Sequence, residues 1–299
     1  MAAPRTAELH ERAEALSANL PPLMVAAERV ASTVAQGMHG RRRTGQGESF
    51  WQYRRYEWGD PIRSVDWRRS GKSDIVYLRE NEWEAAQSVW LWCDSSPSMD
   101  YTSSRKLPAK SERAQILTLA LGSLLVRGGE HIAPLGRHML PTMGKNAVFL
   151  LATALAETHS RTGAASLPPF EPLPRYGRVV LISDFLEPLD DIRRAVGLLA
   201  DRGVDGYVLQ ILDPSEQSLP FTGRTRFEGM EKEGAALIGR VEGVRDDYRA
   251  TLEAHSQGLK DIARVSGWGY GLHVTDQPAE AALLRLYVNL GVPREHGRG

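Results

Sequence analysis

The chain is short of cysteine, of net charge, of long apolar runs and of any apolar leader, and each shortage closes a class of protein. With Cys93 alone, no intrachain disulfide can form, and its place inside an apolar run marks a buried small hydrophobe, not a reactive thiol. Thirty-seven basic residues balance thirty-seven acidic ones, so nothing global draws the protein to nucleic acid or to an anionic membrane. The longest apolar stretch, Ile116 to Val126, is too short to span a bilayer and reads as a core helix. The first residues, MAAPRTAELHERAEAL, carry charge where a signal peptide needs its apolar centre, so a soluble, cytoplasmic protein is expected. At 299 residues there is chain enough for one large domain, or for a domain with an appendage.

What the chain does have is an apolar run that stops abruptly. In QSVWLWCDSSPSM, Gln87 to Met99, the residues Val89 to Cys93 give way to Asp94 and then to small hydroxyl residues. The lack of apolar–polar alternation predicts a strand covered on both faces, as in a parallel sheet. In such a sheet ligands bind in the crevice outside the carboxyl ends of the strands, which is where Asp94, Ser96 and Ser98 would stand. Residues two apart in an extended loop point the same way, so these three side chains can converge, with Pro97 stiffening the loop between them. Hard oxygen donors so placed suit a hard divalent cation, magnesium above all. The plainer reading of the same residues is a turn followed by a helix cap, since Asp and Ser serve in both. A second stretch, GRVVLISD from Gly177 to Asp184, repeats the grammar and would bring a second acid to the same edge of the sheet.

Strands alternate with helices through the rest of the chain, which predicts an α/β fold on a doubly wound, mostly parallel sheet. Helices are expected from about Ser111 to Val126, through Leu150, Leu151 and Leu155, and from about Leu189 to Arg202. Two more are expected from Val244 to Ser266 and from Ala279 to Leu290. Further strands are expected at His131 to Leu135, His138 to Leu140, Asp205 to Leu212 and Tyr270 to Val274, with a small β-hairpin insertion within Phe221 to Gly239. Asp213-Pro214-Ser215-Glu216 puts a third acid at a strand end.

Ahead of the main domain, expected over residues 85–292, the composition changes twice. Residues 1–36 are helical in character, broken by Pro21 and Pro22, and Leu23, Val25, Ala26, Val30 and Val34 recur at helical spacing, as if to lie against the main domain. Residues 37–84 are rich in Arg, Gly and aromatics and lack aliphatic periodicity. This predicts an irregular cap, not a helix or strand layer, pinned by Arg–carboxylate forks and Arg–aromatic stacking. Asp74 to Leu78 alone reads as a strand. The same arginines, interleaved with Trp51, Tyr53, Tyr56 and Trp67, have the makings of a groove for single-stranded nucleic acid. Glu48, Glu57, Asp60 and Asp66 neutralise much of that surface, which makes nucleic acid the weaker reading.

With Asp94-x-Ser96-x-Ser98 after the first sheet strand and Asp184 after a later one, the chain resembles a von Willebrand factor A domain, and the loop resembles its metal-ion-dependent adhesion site. The preceding segment carries a narrower likeness. Gly45-x-Gly47-x-x-Phe50, Arg54-x-Tyr56-x-x-Gly59-Asp60-x-x-Arg63-x-x-Asp66-Trp67-Arg68-x-Ser70, Glu84 and Asp213-Pro214-x-Glu216 are similar to the bacterial domain-of-unknown-function family numbered fifty-eight. The match runs from about Gly37 to Leu290. Members of that family are associated with MoxR-type AAA+ ATPases, so the resemblance implies a partner or adaptor in such a system and not an enzyme. It also implies Mg2+, or another divalent cation, on Asp94, Ser96, Ser98 and Asp184, with Thr142 nearest to the usual threonine. The middle loop departs from the pattern, with Gly144-Lys145-Asn146 where paired glycines and a threonine are usual. A Lys145 ammonium that itself neutralises Asp94 and Asp184 is therefore the alternative to a bound ion.

Two classes of function are consistent with these residues. In the first, the chain is a protein-interaction module whose bound ion keeps a coordination position for an acidic group of a partner. In the second, it is a magnesium-dependent hydrolase with Asp94 as nucleophile, the arrangement of phosphoryl-transfer enzymes. Such enzymes need a second acid two residues after the first, and here that position is Ser96. None of His131, His138, His159 or His273 stands in a recognisable nucleophile context.

Overall fold

The computed structural model describes residues 24–35, 50–55, 70–71, 76–81, 87–159, 166–230 and 234–290. The expectations for residues before 24, and those resting on Tyr56, Trp67 and the acids Glu48, Glu57, Asp60 and Asp66, lie outside the described residues. The chain divides into two units, residues 41–86 and residues 1–40 with 87–299.

In the smaller unit β1 (Phe50–Arg55) pairs antiparallel with β2 (Tyr77–Asn81), with Gln52 opposite Glu80 and Arg55 opposite Tyr77. Strand β1 adds to the single strand expected in this segment. Phe50, Trp51 and Tyr53 are strong strand formers, and a two-stranded ladder needs no aliphatic periodicity. The strand foreseen at Asp74 to Leu78 begins later, at Tyr77.

In the larger unit α1 (24–35) is followed by β3 (Ser88–Cys93), α2 (Lys110–Arg127), β4 (His131–Pro134), α3 (Lys145–His159) and β5 (Arg178–Ser183). Then come α4 (Leu189–Ala200), β6 (Asp205–Leu212), α5 (Pro214–Ser218), the hairpin β7 (Thr225–Glu228) and β8 (Ala235–Ile238), α6 (Arg245–Val265), β9 (Gly269–Val274) and α7 (Ala279–Leu290). Five strands form one parallel sheet in the order β4-β3-β5-β6-β9. The chain leaves β3 for β4 on one side and returns to β5 on the other. The carboxyl ends of β3 and β5 therefore flank a topological switch point, where the diverging connections leave a crevice.

The sheet is covered on both faces, which is why its strands read as unbroken apolar runs. Val89, Leu91, Cys93, Val180, Ile182, Leu209 and Ile211 join a core with residues of α1, α2, α3 and α7, while Trp90, Trp92, Val179, Leu181 and Val208 join a second core with α4 and α6. The α2 helix is buried on most sides, and fully buried leucines such as Leu117 and Leu121 contribute about 2 kcal/mol each. Gly122 allows α3 to approach, since a Cβ there would lie 2.9 Å from the Leu151 side chain. Helix α1 buries Ala27, Val30, Ala31 and Val34 in the same core, and its Glu28 accepts from Ser123 Oγ at 2.8 Å and pairs with Arg127. Val25, expected on the buried stripe, is exposed because that stripe is centred one position further round the helix.

The strand expected at His138 to Leu140 does not form. The chain turns over 135–138 with His138 at φ 50°, a left-handed conformation that ends an extended run. Thr142 then pairs with Ile132 through both backbone groups, at 2.8 and 2.9 Å, and covers the outer edge of β4. Among the described residues no helix is long and apolar enough to cross a membrane.

Candidate functional site

The two acids of the repeated strand-then-aspartate grammar meet at the switch point. Asp94 N donates to Ile182 O at 2.9 Å, which carries the β3/β5 ladder one step past the strand and brings the two loops together. Ser183 Oγ donates to Asp94 Oδ2 at 2.6 Å, and Ser96 N donates to Asp94 Oδ1 at 2.7 Å, a turn closed by the aspartate. Ser96 Oγ and Ser98 Oγ lie 3.1 Å apart, and Ser98 Oγ donates to Asp184 Oδ2 at 2.8 Å. Asp94, Ser96, Ser98 and Asp184 thus form one cluster. The plainer reading holds only for the turn: Pro97–Asp100 is a turn of 3-10 helix after Ser96, but the Ser96 side chain does not cap it.

Asp184 is held in place from behind. Phe185 sits at φ 50°, a costly conformation for a bulky residue, and bends the chain sharply after the acid. Burial of its ring against Trp92, a bond from its N–H to Ser183 Oγ at 2.9 Å and a 2.6 Å contact of its carbonyl with His255 Nε2 hold that conformation. Gln210 Nε2 donates to the Asp184 carbonyl at 3.1 Å.

The charges are unevenly matched. Asp94 is 1% exposed, and burial, reinforced by Asp184 and only partly offset by the Ser183 and Ser96 bonds, raises its carboxyl to a pKa of about 7. Among the described residues no cation pairs with it. Asp184 does have a cation: Lys110 Nζ lies 2.9 Å from its Oδ2 and 2.5 Å from Glu216 Oε1. Lys110 is fully buried, which by itself lowers an ammonium's pKa, but Asp184 and Glu216 reverse the effect and hold it above its ordinary value.

Neither Thr142 nor Lys145 is brought into the cluster. Thr142 is exposed and bridged to Ile132, which is in register with Val89, and by strand rise that level is about 16 Å back along the sheet from Asp94. Lys145 is exposed at the start of α3. The lysine that neutralises an acid here is Lys110, one residue ahead of the helix expected from about Ser111. A signal was present: a lysine in the first turn of a helix opposes the helix dipole and calls for a specific anionic partner. Ser183 and Glu216 are the other members that motif reading left without a role.

The donor set of two carboxylates and two hydroxyls is made of hard oxygens, which fits a hard divalent ion. Among the described residues no group of three or more His, Cys, Asp and Glu could hold a metal, so a cation here would depend on the serine hydroxyls. The fit is supported by charge: Lys110 already stands in as a cation beside Asp184, and Asp94 has none among the described residues. Cys93, next to Asp94, is buried, and burial pushes its thiol up, away from the reactive thiolate.

A family model described as "Protein of unknown function DUF58" matches residues 52–258. An uncharacterized protein of Mycobacterium bovis is 26% identical over 262 residues, covering 84% of this chain and 81% of that protein, and two uncharacterized proteins of Mycobacterium tuberculosis match to the same extent. Among solved structures, a conserved hypothetical protein BatB from Bacteroides thetaiotaomicron is 17% identical, with 67% of this chain and 96% of that chain covered and a TM-score of 0.38. An uncharacterized membrane spanning protein from Vibrio fischeri is 16% identical, with 68% and 98% covered and a TM-score of 0.18.

Proposed function

The chain belongs to the DUF58 family, and for it we propose a non-enzymatic protein-interaction module of the von Willebrand factor A type, which engages a partner at the Asp94, Ser96, Ser98 and Asp184 cluster. The observation that carries this reading is the convergence of two buried carboxylates and two hydroxyls at the switch point, with no cation paired to Asp94 among the described residues. Those four residues would hold Mg2+ or another divalent cation. When bound, such an ion supplies a coordination position that an acidic group from outside can take. Ser98 is the partly exposed member, so a partner's group would enter past its hydroxyl. The resemblance of the motifs supports a MoxR-type AAA+ ATPase as the partner and an adaptor's place in that system. The hydrolase reading is less well served, because Ser96 stands where the second acid is needed.

The test is a pull-down with a MoxR-type ATPase, with and without chelator, on the wild type and on Asp94→Asn. The asparagine is preferred to alanine, which would leave the Ser183 and Ser96 donors without an acceptor in a buried place. Loss of the complex in chelator and in Asp94→Asn, with an unchanged circular dichroism spectrum, is expected. A complex indifferent to both removes the cluster from the contact surface.

A further inference from the structure

The geometry points to Lys110 as an internal cation that competes with a divalent ion for Asp184 and so sets the affinity of the site, an inference that rests on the cation reading above. Lys110 is the first residue of α2 and is fully buried, where an ammonium persists only if paired. It is paired twice, with Asp184 Oδ2 at 2.9 Å and Glu216 Oε1 at 2.5 Å. One acid belongs to the proposed ion site and the other lies outside it.

The frame round Lys110 fixes its position. Glu216 Oε2 accepts from Asp213 N at 2.7 Å as half of the box that caps α5, and Asp213 Oδ2 accepts from Ser103 N at 3.0 Å. The Lys110 N–H donates to Tyr101 O at 3.2 Å, and the Tyr101 hydroxyl bonds Ser215 Oγ at 2.8 Å. These bonds belong to the Asp213 turn and the Tyr101 loop, so the ammonium is held against Asp184 by structure that does not depend on the site being filled.

The consequence lies in the charge balance. Asp94, Asp184 and Glu216 can carry three negative charges and Lys110 carries one positive, which leaves the charge that one divalent ion neutralises. Without Lys110 the same ion would face one more uncompensated acid. It would bind more tightly, and the loaded site would keep a negative charge that repels an acidic group. Lys110 therefore weakens the hold on the ion while leaving the loaded site neutral toward a carboxylate.

Calorimetric titration of the full chain with magnesium chloride tests this on the wild type, Lys110→Gln, Glu216→Gln and the double variant. Glutamine at 110 retains a donor without the charge, so the acids that line its slot keep a hydrogen-bond partner. Lys110→Gln should bind Mg2+ about tenfold more tightly, the scale of removing one like charge near a partly screened ion. Glu216→Gln, which leaves the ammonium to Asp184 alone, should weaken binding about threefold, and that effect should shrink in the Lys110→Gln background because the two act on one another. A folded Lys110→Gln that binds Mg2+ no more tightly than wild type overturns the inference. If that variant does not fold, Glu216→Gln decides: weaker binding supports the inference and unchanged or tighter binding overturns it. A wild type without Mg2+ binding sinks the resting-site cation reading by itself. Binding gained in Lys110→Gln would in that case still uphold the competition, and its absence there would overturn both.

Discussion

Asp213 and Asp94 start from the same grammar, an apolar parallel strand that stops at an aspartate, and end in opposite electrostatic states. Asp213 is fully buried, yet Ser215 N and Oγ both donate to its Oδ1 at 2.8 Å and Ser103 N donates to its Oδ2 at 3.0 Å. Burial works to raise its pKa, but these bonds outweigh burial and hold the carboxyl below its ordinary range. Asp94 is no more accessible at its surface but lies deeper in the protein, with two donors and a second acid nearby, and its pKa is pushed up to about 7. The difference lies in depth of burial, in the neighbouring Asp184 and in the donors together. A helix cap commits the Asp213 charge to structure, whereas the Asp94 charge is left under-compensated and available to a cation.

The largest effect expected from this contrast is on Asp213→Ala. That change removes the α5 cap and leaves Ser103 N and Ser215 N without their acceptor, which should cost about 3 kcal/mol in denaturant unfolding. A cost under about 1 kcal/mol would break the comparison, since Asp213 would then be no more structural than Asp94.

A buried base at the end of β9 sharpens the contrast from the other sign of charge. His273 is 2% exposed and its ring nitrogens have no hydrogen-bond partner among the described residues. Burial, with Arg113 and Arg285 nearby, lowers its pKa to about 4. Between that value and the ordinary one near 6.5 the unfolded chain binds the proton and the folded chain does not, so this group's contribution to stability falls as pH falls through the window. The loss from pH 7 to pH 5 should be about 2 kcal/mol, and His273→Leu should remove that part of the pH dependence. A variant that keeps the wild-type slope would show that His273 is not buried neutral.

Much of this arrangement was legible in the chain itself. Unbroken apolar runs ending in Asp94 and Asp184 announce parallel strands and place both acids on one edge, because parallel strands all end on the same edge of their sheet. The helices and the β7–β8 hairpin follow from periodicity and turn residues in the same way. For Lys110 the position in a helix's first turn signals the need of an anionic partner but not which one, because Asp184 and Glu216 are distant in sequence and meet it only through the docking of α2 over the sheet. Thr142 and Lys145 failed for the complementary reason. Their order in the chain suggested a metal loop, but backbone pairing with Ile132 commits Thr142 to the β4 edge. Strand β1 was missed because its ladder uses aromatic residues and carries no aliphatic repeat.

The smallest effect on stability should belong to the residue with the largest effect on binding, Asp94. In Asp94→Asn one acceptor oxygen is kept, and the Ser183 hydroxyl can turn from donating to Oδ2 to accepting from the new amide. The hydrogen bonds survive while a poorly compensated buried charge is removed, so the two changes oppose each other. Unfolding at pH 8, where the wild-type carboxyl with its pKa of about 7 is mostly ionised, should differ from wild type by no more than about 1 kcal/mol, with any shift towards greater stability. Magnesium titration of the same variant should show binding lost, because asparagine cannot supply the charge. A loss of stability beyond about 2 kcal/mol would put Asp94 with Asp213 as a structural acid. Undiminished magnesium binding would show that Asp184 and the serines hold the ion without it, and that the raised pKa of Asp94 marks burial alone.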